Sequence, residues 1–295
     1  MSNLVRLAQP KGEDVIFFGN GPLADYALSV LNKSFNIIFH AKTKDDLTKA
    51  AELKAKYPKA HAILASFGVL IKPDFLQLWE PEGILNLHPS LLPNYRGASP
   101  IETAILNGDQ TFSVSIMKLV RAMDAGPIYY QETLPASSFS SALPTKDEIY
   151  RALATTGANW LIKNLNHLPT PTLQQGEPTF TKKFDKTLSL LLPARKTATE
   201  LLNEIRAFAG FPKSKYTLFD LDCTILSAHC SPSFPENVST TSTPVNPHHS
   251  DQYLYATKSS LALKCSDGNF LILDQIQPAG KRPMDAKSFL NGYRK

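Results

Sequence analysis

Between residues 14 and 168, short apolar runs alternate with stretches of helical spacing, and few topologies accommodate that alternation. "DVIFFGN", "FNIIFHA", "AHAILASFG", "GILNLH" and "VSIMKLV" read as strands. "PLADYALSVLNK" carries Leu23, Ala27, Val30 and Leu31 at helical intervals. "TKDDLTKAAELKAKYPK" reads as a polar helix closed by Pro58. "TKDEIYRALATTGANWLIKNLNHL" opens with Thr145 and Glu148, a capping-box pair, and sets Ile149, Leu153, Trp160 and Leu165 on one side. Parallel neighbours need a crossover, and a helix supplies it, so the expected fold is α/β with an open, mostly parallel, twisted sheet. Such sheets take their ligands at the carboxyl ends of the strands.

The remainder reads differently. Residues 169–196, with "PTPTLQQGEPTFTKKFDKT", are rich in proline and polar residues and mark a linker between residues 1–168 and 197–295. "TATELLNEIRAF" opens with a second capping box, Thr197 with Glu200. "KYTLFDLDCTILSAHC", "YLYAT", "LALKCS" and "NFLILDQIQ" then suggest a small β-rich, barrel-like domain, resembling an OB-like fold. Residues 231–250 have turn composition and read as a mobile loop. A length of 295 residues fits two domains, and 43% hydrophobic against 19% charged residues excludes a disordered chain. Cys223, Cys230 and Cys265 are an odd number at irregular spacing, which fits a reducing, cytoplasmic compartment rather than a disulfide framework. No signal peptide and no membrane span are expected from the N-terminus or from any apolar run.

Several motifs have a plain reading. "GNGPLA" matches G-x-G-x-x-A but lacks the later acid of a dinucleotide site, so it reads as a tight turn needing glycine. Cys223, His229, Cys230, His248 and His249 match no zinc spacing, and no metal is expected. Lys182 and Lys183, in "FTKKFDK", belong to a solvated linker or hold a polyanion.

"GILNLHPSLLPNYRGASPI" does not reduce so easily. Residues i and i+2 of a strand share a face, so Asn86 and His88 project together near a strand terminus. Downstream, "VSIMKLVRAMDAGPI" places Asp124 before a turn. An amide, an imidazole and a carboxylate suit acyl transfer to an amine. The first two can stabilise an oxyanion, and the third can orient the imidazole or take the amine's proton. No serine or cysteine nucleophile stands beside a base, so direct transfer is the simpler chemistry.

"NLHPSLLPNYRGASPIETAILNGD" and "SIMKLVRAMDAGPI" resemble the paired motifs of the folate-dependent formyltransferases, an Asn-x-His-x-Ser-Leu-Leu-Pro stretch and a downstream Asp-x-Gly. "AILASFGVLIKP" is similar to the loop whose backbone receives the pterin ring, and residues 267–292 resemble the end of the methionyl-tRNA formyltransferase branch. The resemblance runs from Val15 to Gly292 and implies a Rossmann-like formyltransferase fold. It implies an enzyme moving formyl from 10-formyltetrahydrofolate to the α-amine of initiator methionyl-tRNA. Asn86 and His88 would bind the carbonyl oxygen, and Asp124 would support His88 and the proton transfer. Phe67, Gly68, Val69 and Leu70, with Ser90, Leu91, Leu92 and Pro93, would line the folate site. Arg96 would approach the tRNA end or close the loop, or form only a surface salt bridge. Lys182, Lys183, Lys281 and Arg282 are the remaining candidates for tRNA contact. The expected molecule is a monomer with tRNA and folate as partners.

One departure bears on the acceptor. The family usually carries a long basic insertion after the second strand, but here "FHAKTKDDLTKAAELKAKYPKAHAIL" runs almost directly from strand to helix. Lys42 and Lys44 are its only remnants. A sugar-nucleotide amine N-formyltransferase is therefore the alternative enzyme, and a non-catalytic RNA-binding protein is the alternative outside catalysis. The net charge is +5. From Lys258 on, Lys258, Lys264, Lys281, Arg282, Lys287, Arg294 and Lys295 face only Asp267, Asp274 and Asp285. That excess suits a phosphate-rich partner.

Overall fold

The computed structural model describes residues 12–234 and 253–293. They form two compact units: residues up to Ile101 with Gln110–Lys182, and Glu102–Asp109 with the described residues from Lys183 on. In chain order the first elements are β1 (Asp14–Gly19), α1 (Pro22–Leu31), β2 (Asn36–Ala41), α2 (Asp46–Lys56), β3 (His61–Ala65), α3 (Pro73–Gln77) and β4 (Ile84–His88). Then come β5 (Arg96–Gly97), α4 (Pro100–Asn107), β6 (Thr111–Lys118), β7 (Ile128–Pro135), α5 (Lys146–Asn164) and β8 (Phe180–Thr181).

The main sheet of the first unit has the order β2-β1-β3-β4-β6-β7. Its β2, β1, β3 and β4 are parallel, as the alternation predicts. Strands β1, β3 and β4 are almost wholly buried, as strands covered on both faces must be. The far side differs from a continued parallel sheet: β6 runs antiparallel to β4, and β7 antiparallel to β6. Residues 119–127 are too few for a crossover, so β6 and β7 can only form a hairpin. Its loop carries Asp124.

Helix α5 keeps the expected capping box, and it buries Ile149, Leu153, Ala154, Gly157, Ala158 and Leu161. Trp160 lies at the margin of that stripe, stacked on Tyr130 at 5.1 Å. Gly157 admits Leu87 of β4, since a Cβ there would stand 2.7 Å from a Leu87 methyl. The "GNGPLA" turn is a steric device: a Cβ on Gly19 would meet the Ala65 carbonyl oxygen at 2.3 Å, and Gly21 has φ +86°. The β2-to-α2 connection, residues 42–45, is as short as the sequence suggests. Asp46 Oδ2 closes it, accepting from the Lys42 and Thr43 amides at 2.8 Å each.

The second unit contains α6 (Ala198–Ala207), β9 (Ser214–Leu218), β10 (Leu221–Ser231), β11 (Leu254–Ala256), β12 (Leu261–Lys264), β13 (Phe270–Pro278), β14 (Met284–Asp285) and α7 (Ala286–Tyr293). Its sheet, β11-β12-β13-β10-β9, is antiparallel and curls into a half-barrel. Register shifts in β10 between Ile225 and Ala228 supply local bending. Leu201, Ile205, Leu218, Leu263, Leu271, Ile276 and Phe289 belong to one buried cluster beneath it. Cys223 and Cys265 are buried, and burial pushes their thiols up to about 11 and about 12, so they behave as small apolar residues. His229 pairs with Asp274 at 3.0 Å, while His248 and His249 lie outside the described residues. Residues 235–250 of the expected loop, with Arg294 and Lys295, also lie outside them. Among the described residues no helix is long and apolar enough to cross a membrane.

Candidate active site

Strand β4 delivers Asn86 and His88 to one face, and both are buried. Asp124 arrives from the β6–β7 loop in the left-handed region, with φ +47°. Its two oxygens have different partners. Oδ2 accepts the Gly97 N–H at 2.8 Å. Oδ1 lies 3.4 Å from Asn86 Nδ2 and 3.7 Å from His88 Nδ1. The three residues that the sequence singles out therefore converge on one carboxylate oxygen.

The histidine's tautomer follows from its other contact. His88 Nε2 lies 3.1 Å from the Tyr95 carbonyl oxygen, which can only accept, so Nε2 carries hydrogen. Nδ1 thus faces Asp124 Oδ1 as a lone pair in the neutral ring and as an N–H in the imidazolium. A protonated imidazole and an amide N–H side by side are the donors that a developing oxyanion requires.

These groups border a cleft of about 450 Å³, within the range of small-molecule sites. Phe67, Gly68, Val69 and Leu70 all line it. Phe67 is anchored in the core against Phe18, at 5.7 Å between ring centroids. Gly68 has φ +65° and open space where a side chain would stand, so the backbone is accessible there. Leu70 and Met123 are exposed apolar side chains that also line the cleft. A flat heterocycle with hydrogen-bonding edges fits such walls.

None of Ser90, Leu91, Leu92 and Pro93 is among the residues lining the cleft. The chain turns immediately after His88, with Ser90 N–H donating to the His88 carbonyl at 2.9 Å. Ser90 Oγ then donates to the Asn94 carbonyl at 2.6 Å. Ser115 Oγ donates to the Ser90 carbonyl at 2.6 Å, and Gln131 Nε2 donates to the Leu92 carbonyl at 2.9 Å. Leu92 is buried with Met117 and Ile128, while Leu91 is exposed. These contacts pin the loop to β6 and β7.

Arg96 directs Nε and Nη2 to Gln174 Oε1, at 3.1 and 2.6 Å. That contact closes a loop; it is neither a salt bridge nor a reach into the cleft. Lys182 and Lys183 are exposed just beyond β8, and Lys281 and Arg282 are exposed near the end of β13. None of the four lines the cleft. Sequence reasoning missed Tyr95, Gly97 and Gln174, which act through backbone groups or lie in an apparent linker. It also missed Arg121, the single lysine or arginine among the lining residues.

Residues 28–165 match the family model described as "Formyl transferase", and residues 191–294 match "Formyl transferase, C-terminal domain". A methionyl-tRNA formyltransferase of Methylobacillus flagellatus is 30% identical over 86% of this chain and 78% of its own length. A solved methionyl-tRNA formyltransferase from Clostridium thermocellum matches with a TM-score of 0.59 at 20% identity, over 74% of this chain and 93% of that one. A sugar 3N-formyl transferase, solved in the presence of dTDP and 5-N-formyl-THF, matches with the same TM-score at 18% identity, over 92% of this chain and 98% of that one. The fold is thus common to both kinds of acceptor.

Proposed function

The chain belongs to the formyl transferase family, and from that premise we propose that it formylates the α-amine of initiator methionyl-tRNA with 10-formyltetrahydrofolate as donor. The observation that carries the chemistry is the convergence of Asn86 Nδ2 and His88 Nδ1 on Asp124 Oδ1 beside an apolar cleft. The accessible backbone at Gly68 and the apolar side chains of Leu70 and Met123 suit the pterin and its aryl extension.

In this reading the amine nitrogen attacks the formyl carbon, and the new C–N bond turns the carbonyl into an oxyanion. Asn86 and the imidazolium of His88 donate to that oxygen. Asp124 Oδ1 takes the proton that the amine loses, while the Gly97 N–H holds Oδ2 in place. Collapse of the tetrahedral intermediate breaks the bond to the folate nitrogen, which leaves with the proton that Asp124 took from the amine. No covalent acyl-enzyme is required.

Residues 1–168 would carry this chemistry, 169–196 would connect, and 197–295 would hold the tRNA body, in a monomeric enzyme. Arg96, Lys182, Lys183, Lys281 and Arg282 are the candidate tRNA contacts. The 30% identical relative supports the tRNA acceptor. The short 42–45 connection favours a second reading, transfer to an amino sugar carried on a nucleotide. The deciding experiment offers 10-formyltetrahydrofolate with charged initiator tRNA or with such a sugar nucleotide, and identifies which product forms. Binding of tRNA without binding of folate would instead indicate a non-catalytic RNA-binding protein.

A further inference from the structure

Residues 172–181 lie in the proline-rich stretch that reads as a linker, yet they are hydrogen-bonded to both loops of the active site. Thr172 exchanges backbone bonds with Ile128, at 2.7 and 2.9 Å. The Thr179 carbonyl accepts the Arg96 N–H at 2.9 Å, and its hydroxyl accepts the Tyr95 N–H at 2.8 Å. Phe180 and Thr181 of β8 pair with Arg96 and Gly97 of β5. The segments so held include Tyr95, whose carbonyl fixes His88, and Gly97, whose N–H fixes Asp124.

Gln174 joins the two loops directly. Its Nε2 donates to the carbonyls of Asp124 and Gly126, at 2.8 Å each. Its Oε1 takes the Arg96 fork described above. The amide therefore spends both donors on one loop and its acceptor on the other. Asp124 sits at φ +47°, where a non-glycine residue relies on its surroundings to hold it. A glutamate at 174 could keep Arg96 but would turn a carboxylate toward two carbonyls. A methionine would keep the volume and lose every hydrogen bond.

We propose that Gln174 is a positioning residue for formyl transfer: it sets Asp124 against His88 through the backbone of residues 124–126. The proposal rests on the formyl-transfer reading for its catalytic consequence, but not for its structural one.

The test uses Gln174→Glu and Gln174→Met in the full chain. Thermal melting reports the fold, steady-state kinetics separate kcat from the donor KM, and nitrogen-15 NMR reports the His88 ring. Both folded variants should lose roughly 10- to 10²-fold in kcat, the scale of a misplaced catalytic group, with the donor KM unchanged. The His88 ring signals should move in both. Arg96→Ala should lower kcat in the wild type but add little to Gln174→Met, because the two side chains act as one unit. Wild-type kcat in either folded variant would overturn the proposal. So would a fall in kcat with unmoved His88 signals, since the loss would then arise elsewhere. Failure of both variants to fold would assign Gln174 to stability and overturn it too. Should the wild-type protein transfer no formyl group, the function reading fails, and the ring signals alone then decide whether Gln174 positions the pair.

Discussion

Asp124 is the residue on which the site turns, because its two carboxylate oxygens are not equivalent. One is tied to the Gly97 amide, and the other faces Asn86 and His88 and, in the proposed reaction, the incoming amine. His88→Ala or Asp124→Ala should lower kcat by roughly 10²-fold or more, the usual scale of lost acid–base help, with folate binding nearly unchanged. Near-normal turnover in either variant, measured by formyl release, would reject these roles. Gly97 offers an independent test. It has φ +117°, and a Cβ there would meet the Thr181 carbonyl oxygen at 2.8 Å and its hydroxyl at 2.9 Å. Gly97→Ala should therefore push β5 from β8, lower the melting temperature and reduce kcat together. A variant with wild-type melting and turnover would show that the β5–β8 contact accommodates a methyl group without disturbing the site. The side chains of this site were legible in the sequence because strand periodicity pairs Asn86 with His88 and a turn signal marks Asp124. The supports were not legible: Tyr95 and Gly97 contribute a carbonyl and an amide that every residue carries. Ser90–Pro93 lie outside the cleft lining, and a motif's position does not reveal which side of a turn faces the cleft.

At the scale of elements, the capping box of α5 was readable from Thr145 and Glu148 alone, and it makes a pH prediction. The Ser140 hydroxyl, followed by the Thr145 N–H and hydroxyl, holds the Glu148 carboxyl below its ordinary value of 4.5. A carboxyl lowered in the folded state stabilises fully above the unfolded value and loses that contribution as pH falls through the folded one. Thr145→Ala should cost about 1 kcal/mol near neutral pH. The gap from wild type should narrow below about pH 4.5, read as melting temperature against pH. A gap constant with pH would remove Glu148 from the cap. Other elements were hidden. Strand β7 mixes apolar, aromatic and charged residues along a partly exposed edge, so no clean alternation announces it. Helix α4 lies inside the motif-bearing stretch, where prolines outweigh the spacing of Ile101 and Ile105. Residues 172–181 have a linker's composition, and only their partners on β5 and the β6–β7 loop reveal a strap.

At the scale of the molecule, the sequence separates an alternating strand–helix region from a β-rich one, and the structure builds an open sheet and a curled antiparallel sheet from them. With the 42–45 connection so short, recognition of a polyanion falls to the second unit in this account. Lys281 and Arg282 follow β13 and are exposed there. Replacing both with alanine should weaken tRNA binding and reduce the slope of affinity against salt by roughly two ions released. Unchanged affinity and slope would remove them from the contact. Residues 197–295 extend that argument: deleting them should weaken tRNA binding while folate binding stays measurable. The central claim is the reaction itself, and one measurement addresses it most directly. The protein is incubated with 10-formyltetrahydrofolate and either methionyl initiator tRNA or an amino-sugar nucleotide, beside an Asp124→Ala control. The account predicts formyl-methionyl-tRNA from the wild type, little from the control and none on the sugar. A formylated sugar nucleotide with no formylated tRNA would contradict it.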